Sequence, residues 1–296
     1  MLLLLLLMMM MLLHLHNISG ARIILASPQI PSHIIEPTAT GEELVRRGHE
    51  VYIAIGSEYR NPESLERLGL RTIVFHAPTD KPTAFGSTDD MATSIFSPDY
   101  NLNSLRKVVS TRLSRECEFM LSDKKFLERV RELKFDFALV EPFVQNPCVL
   151  LLPYSLDIRF ASLANFYLPW TIRMPAFPSF LRIGNPYLNI STDSRSVFWN
   201  SVLNTVIYLS VHWQIPSTLW NNTLLENYAS RRITWNELIL KSELFFVASD
   251  HHLGTPLPMF PNVIPVPCVT VRPIRPLPEE LEKLTSRSRD LSLIHI

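Results

Sequence analysis

ARIILASPQIPSHIIEPTATGEELVRRGHEVYIAI, residues 21–55, is the stretch whose reading decides the fold. Its opening, Ala21–Ser27, is a short apolar run of the kind that makes a parallel strand buried on both faces. A loop follows from Pro28 to Ile35. Glu36-Pro37 then opens a helical stretch through Arg47, since proline is acceptable in a first turn. Gly48 reads as its C-terminal stop. His49–Ile55 is a second apolar strand. Strand, helix and strand with tight connections form a βαβ unit, and such units build parallel, Rossmann-like sheets.

The pattern continues outward. Glu63–Leu68 reads as a short helix and Arg71–Phe75 as a third strand. Asp80–Pro98 is polar and irregular. Helical spacing runs from Leu102 to Lys134 with a break at Ser122-Asp123. Phe135–Val140 and Ile158–Leu163 are the next strands. Helical spacing returns over Ser196–Trp213 and Leu219–Ile239. Leu244–Ala248 and Val263–Val266 read as the last strands, and Pro278–Leu284 as a charged helix. The expected class is α/β: one parallel sheet flanked by helices.

Composition narrows the function classes. Lys+Arg and Asp+Glu both number 28, so the basic surplus of a nucleic-acid binder is missing and no nucleic-acid partner is expected. Gly numbers 8 and no G-x-G-x-x-G follows the first strand, which argues against a dinucleotide enzyme. Leu2–Leu13 is a Leu/Met run that suits a signal peptide over residues 1–20, too short to span a bilayer. That route predicts glycosylation, and Asn17, Asn189 and Asn221 each open an N-x-S/T sequon. Cys117, Cys148 and Cys268 are far apart and lack zinc-site spacing, so no metal is expected. In an oxidising compartment two could pair, and spacing does not say which.

Ligands of such sheets sit beyond the carboxyl ends of the strands. His33, in the loop after the first strand, and Glu141, immediately after Phe135–Val140, both fall there. A neutral imidazole can take a proton from a hydroxyl, and a carboxylate on its other nitrogen fixes the tautomer. Most loop histidines are plain polar surface, and most strand-end carboxylates are solvated or aid a helix N-terminus. His49 is expected to pack at the helix–strand turn. His251-His252 lacks a third ligand nearby and reads as polar loop. Trp170–Phe180, rich in aromatics, Pro and Met, is core or the lining of an apolar pocket.

Four stretches together resemble the N-terminal half of the UDP-glycosyltransferases, above all the animal UDP-glucuronosyltransferases. They are Ser32-His33 with the turn Arg47-Gly-His-Glu-Val51; Phe135–Phe143 with Pro147-Cys148; Leu244–Asp250 with Pro261-Asn-Val263; and Arg275-Pro-Leu-Pro-Glu-Glu-Leu281. The resemblance implies the GT-B fold, with an acceptor-binding domain over residues 21–271 and the start of an interdomain linker over 272–296. It places the UDP-sugar-binding domain and a membrane anchor in the C-terminal half of the full-length form, outside this sequence. It implies UDP-glucuronate or UDP-glucose as co-substrate, no cofactor bound by this half, and a lipophilic small-molecule acceptor. Localisation in the endoplasmic reticulum and homo- or hetero-oligomers are expected on the same ground. The family's catalytic His falls on His33. Its Asp falls on position 141, where Glu adds one methylene, about 1.5 Å of reach. A non-catalytic lumenal module that binds apolar molecules or partners family members is the alternative for the chain as it stands.

Overall fold

The apolar runs become the strands β1 (Arg22–Ala26), β2 (Glu50–Gly56), β3 (Arg71–Phe75), β4 (Phe137–Val140), β5 (Phe160–Ala164), β6 (Phe245–Val247) and β7 (Val263–Pro265). All pair in parallel in one sheet, ordered β3-β2-β1-β4-β5-β6-β7. The computed structural model describes residues 20–76, 102–143, 146–164, 198–199, 202, 206, 220–248, 260–267, 269–271 and 276–286. The leader read at residues 1–20 lies outside these apart from Gly20. So do Asp80–Pro98, Trp170–Phe180, the sequons at Asn17 and Asn189, His251-His252 and Cys268. Of Ser196–Trp213, only four positions are described, all helical.

Successive side chains of a strand point to opposite faces, and both faces of this sheet are covered. Ile23 and Leu25 of β1 join Val51, Ile53 and Ile55 of β2 on one face. The helices α1 (Pro31–Arg46) and α2 (Pro62–Glu66) cover that side, through Ile34 and Leu65. Ile24, Ala26, Tyr52 and Ala54 turn the other way. They pack under α3 (Leu102–Ser122), α4 (Lys124–Leu133), α6 (Asn222–Tyr228) and α7 (Trp235–Ile239). Between them in sequence lie a 3-10 turn, Cys148–Leu150, and α5 (Leu151–Ser155), whose Leu151 and Leu152 are buried in the same cluster. Each such leucine contributes about 1.5–3 kcal/mol by leaving water. A last helix, α8 (Glu279–Ser286), matches the charged stretch near the C-terminus.

Local chemistry explains the boundaries. Asp123 breaks the long helical stretch where expected, because its side chain accepts the Phe126 N–H at 3.1 Å and caps α4. Thr234 and Glu237 close a reciprocal capping box on α7. Gly48 ends α1 with φ 89°, a conformation that costs glycine nothing. His49 does pack at this turn, taking the Ala21 N–H on Nδ1 at 3.1 Å.

One boundary differs from the sequence reading. α1 starts at Pro31, not Glu36. Two prolines compete for the first turn, and Pro31 holds it, leaving Pro37 inside the helix. His33 therefore belongs to the first turn of α1, not to a loop. At the far edge, the Val266 N–H donates to the Val247 carbonyl, so amide groups alternate between facing β6 and facing outward. Pro265 occupies an outward position and offers no N–H there.

Candidate active site

Strand order reverses direction between β1 and β4: β2 and β3 lie beyond β1, while β5 to β7 lie beyond β4. This is the switch point at which open parallel sheets bind ligands. The chain leaving β1 reaches His33, and the chain leaving β4 begins with Glu141. Because β1 and β4 are hydrogen-bonded neighbours, with Ala26 opposite Val140 in register, two residues 108 apart in sequence meet. A Glu141 carboxylate oxygen contacts His33 Nδ1. The carboxylate is an acceptor only, so the ring carries its proton on Nδ1 and its basic lone pair on Nε2. The Phe143 ring stands edge-on to the imidazole at 4.5 Å between centroids, fixing its plane from a third side. The His33 side chain is 13% exposed and that of Glu141 3%, so solvent reaches the imidazole while the carboxylate is covered.

Both loops are braced by α3. In the loop after β1, Glu116 of α3 accepts the Gln29 N–H at 2.8 Å. The Gln29 amide donates to the carbonyls of Ser27 and Ala54, and its oxygen takes the Gly56 N–H at 3.0 Å. In the loop after β4, Asn146 donates to Ser114 Oγ at 2.6 Å and to the Ser110 carbonyl, and accepts the Cys148 N–H at 3.1 Å. Cys148 is joined by a disulfide to Cys117 of α3. One helix thus holds the His33 side and the Glu141 side of the crevice in a fixed relation.

A model of the UDP-glucoronosyl and UDP-glucosyl transferase family matches residues 22–293. The chain belongs to this family. UDP-glucuronosyltransferase 3A2 of Mus musculus is 24% identical over 282 residues, covering 94% of this chain and 53% of that protein. UDP-glucuronosyltransferase 3A1 of Xenopus laevis is 28% identical over 189 residues, 62% of this chain and 35% of its own. The chain therefore spans about half the length of the first and a third of the second. Among solved structures, the spinosyn forosaminyltransferase SpnP aligns with 89% of this chain and 55% of its own at a TM-score of 0.48 and 14% identity.

Within this member of the UDP-glucoronosyl and UDP-glucosyl transferase family, Glu141 closes the distance to the imidazole with its longer side chain. Glu141→Asp withdraws the carboxylate by about 1.5 Å, beyond hydrogen-bonding reach without a backbone shift. The expected result is loss of the low-field Nδ1 proton resonance of His33 in the NMR spectrum. Its retention at an unchanged position would show that the loop follows the shorter side chain.

Three contributors escaped the sequence reading. Glu36 was taken as the opening of a helix, and it lies one turn past His33, only 6% exposed. Glu116 sat unremarked in a helical stretch. Gln29 looked like loop filler. A Glu three residues after a His is a visible signal once the helix is started at Pro31. For Glu116 and Gln29 no sequence spacing carries the information, since their contact joins elements far apart.

Burial pushes the Glu116 carboxyl up to about 8 from its ordinary 4.5, against the hydrogen bond from Gln29 and the field of Arg112. The folded state then holds a proton that the unfolded state releases. Stability falls by roughly 1.4 kcal/mol per pH unit between those two values and is lowest above them. Glu116→Gln keeps an acceptor for the Gln29 N–H and never ionises. Its urea midpoint is expected to match the parent near pH 4 and exceed it at pH 9; parallel curves across that range would refute a buried neutral carboxyl.

Proposed function

We propose that this chain is the acceptor-binding half of a GT-B enzyme that transfers a hexosyl or glucuronosyl group from a UDP-sugar to a hydroxyl of a lipophilic small molecule. The observation that carries the reading is the covered Glu141 carboxylate on Nδ1 of a partly exposed His33, at the switch point of a parallel sheet. Family membership and the resemblance of the 3A-type relatives support the donor class.

In this scheme His33 Nε2 takes the proton of the acceptor hydroxyl. The freed oxygen forms a bond to the anomeric carbon as the bond from that carbon to the UDP oxygen breaks, and UDP leaves with the electron pair. Glu141 stays ionised, holds the ring orientation and stabilises the imidazolium. The acceptor, docked against the crevice, turns a two-molecule collision into one oriented step. The donor half of the full-length protein would hold the diphosphate.

The secretory route is supported by the Cys117–Cys148 bridge, since such bonds persist in oxidising compartments. The sequon residue Asn221 is exposed. Its side chain caps α6 by accepting the Thr223 N–H. Among the described residues no helix is long and apolar enough to cross a membrane.

The test is to incubate the full-length protein with UDP-glucuronate and with UDP-glucose against a panel of phenols and aliphatic alcohols. Conjugates with inverted anomeric configuration are expected. Conjugates of retained configuration would rule out the direct displacement, and no conjugate with either donor would rule out the transferase reading.

A further inference from the structure

Two buried carboxyls adjoin the crevice without belonging to the His33–Glu141 pair. Glu116 has an evident structural task in clamping Gln29. Glu36 has none of that kind. It lies three residues after His33, on the same side of α1. Its Oε2 is buried and makes no hydrogen bond. A side chain needed only to fill space there would be apolar, because a buried carboxyl without a cation is costly. The charges acting on Glu36 are those of Glu141, from the loop after β4, and of His33 on its own helix. The strands packed against α1 present apolar groups, Leu25, Val51 and Ile53, and the nearest other acid on a neighbouring element, Glu116 of α3, is turned to Gln29.

We propose that Glu36 is a positioning residue of the acid–base cluster, placing a second ionisable carboxyl beside the His33–Glu141 pair and so setting how strongly His33 holds a proton. Burial, reinforced by Glu141 and opposed by His33, pushes its carboxyl up to about 7. Near neutrality it therefore changes charge. Below that point one carboxylate faces the imidazole; above it, two do. The second negative charge favours the imidazolium, so His33 becomes a stronger base as Glu36 ionises. The two groups then titrate as a coupled system rather than independently.

The inference rests on the base-and-orienter reading for its bearing on catalysis, but its test does not. The chain is labelled with nitrogen-15 histidine, and the His33 ring nitrogens are followed from acid to alkaline pH. Glu36→Gln is expected to lower the His33 midpoint by about one pH unit and to reduce a two-step curve to one step. Glu36→Asp, which restores the charge, should restore the second step. Superimposable curves for the parent and Glu36→Gln overturn the inference. Should that variant fold poorly, carbon-13 titration of the parent decides it. A Glu36 carboxyl midpoint near neutrality, with a matching inflection at His33, sustains the inference. A midpoint at ordinary carboxylate pH with no such inflection overturns it. Loss of the base reading alone would look different: the coupled titration would persist while the full-length protein transferred sugar normally without His33.

Discussion

Replacing His33 by alanine in the full-length protein is expected to lower kcat/KM for sugar transfer about a hundred- to ten-thousand-fold, the range a positioned general base supplies. The loss should fall on kcat. Acceptor affinity should stay close to that of the parent, because alanine removes the proton acceptor and leaves the apolar surroundings, Phe143 and Ile30 among them, in place. The structural cost should be small, since the His33 side chain is partly exposed and most of its polar contact is to Glu141. Glu141 would be left as a covered carboxylate without its imidazole, and some destabilisation follows from that. Steady-state kinetics together with acceptor binding by calorimetry separate these effects. Transfer within a few-fold of the parent would remove His33 as the base. A large rise in KM at unchanged kcat would make it a binding residue.

The second large effect is on stability. Changing both Cys117 and Cys148 to alanine opens a closed loop with a sequence separation of 31 residues. Loop-closure entropy puts the loss at about 4 kcal/mol, and both sites lie in the main core, where alanine also vacates volume. The bridge joins α3 to the turn that follows the Glu141 loop. Its removal should therefore loosen the site as well as lower the urea midpoint. Hydrogen exchange would show faster opening at Asn146–Cys148 than in α7, which the bridge does not touch. An unchanged midpoint would mean that Asn146 and the packing of Leu150–Leu152 hold α3 alone.

Much of this was legible in the sequence because the governing signals were local. The runs at Ala21–Ser27 and His49–Ile55 became β1 and β2 because continuous apolar stretches suit strands covered on both faces. The break at Asp123 and the stop at Gly48 were set by side chains within a few residues of the event. The start of α1 was misplaced by five residues because two prolines each satisfied the same first-turn rule, and only tertiary packing chose between them. The pairing of Cys117 with Cys148 was open for a similar reason: it depends on α3 lying over the turn after β4. His33 and Glu141 could be nominated from strand ends, whereas the Gln29–Glu116 clamp depends on a helix that begins far along the chain.

The proline at the end of β7 carries a consequence for how the molecule behaves among its own copies. A bare strand edge is a template: its outward amides and carbonyls can recruit a stranger's backbone and seed fibrous growth. Pro265 blanks one such docking point, and β7 has only three residues, Val263–Pro265, with which to offer others. Concentrated solutions should accordingly resist strand-by-strand accretion on that flank, whatever the fate of the acid–base chemistry at the other side of the sheet.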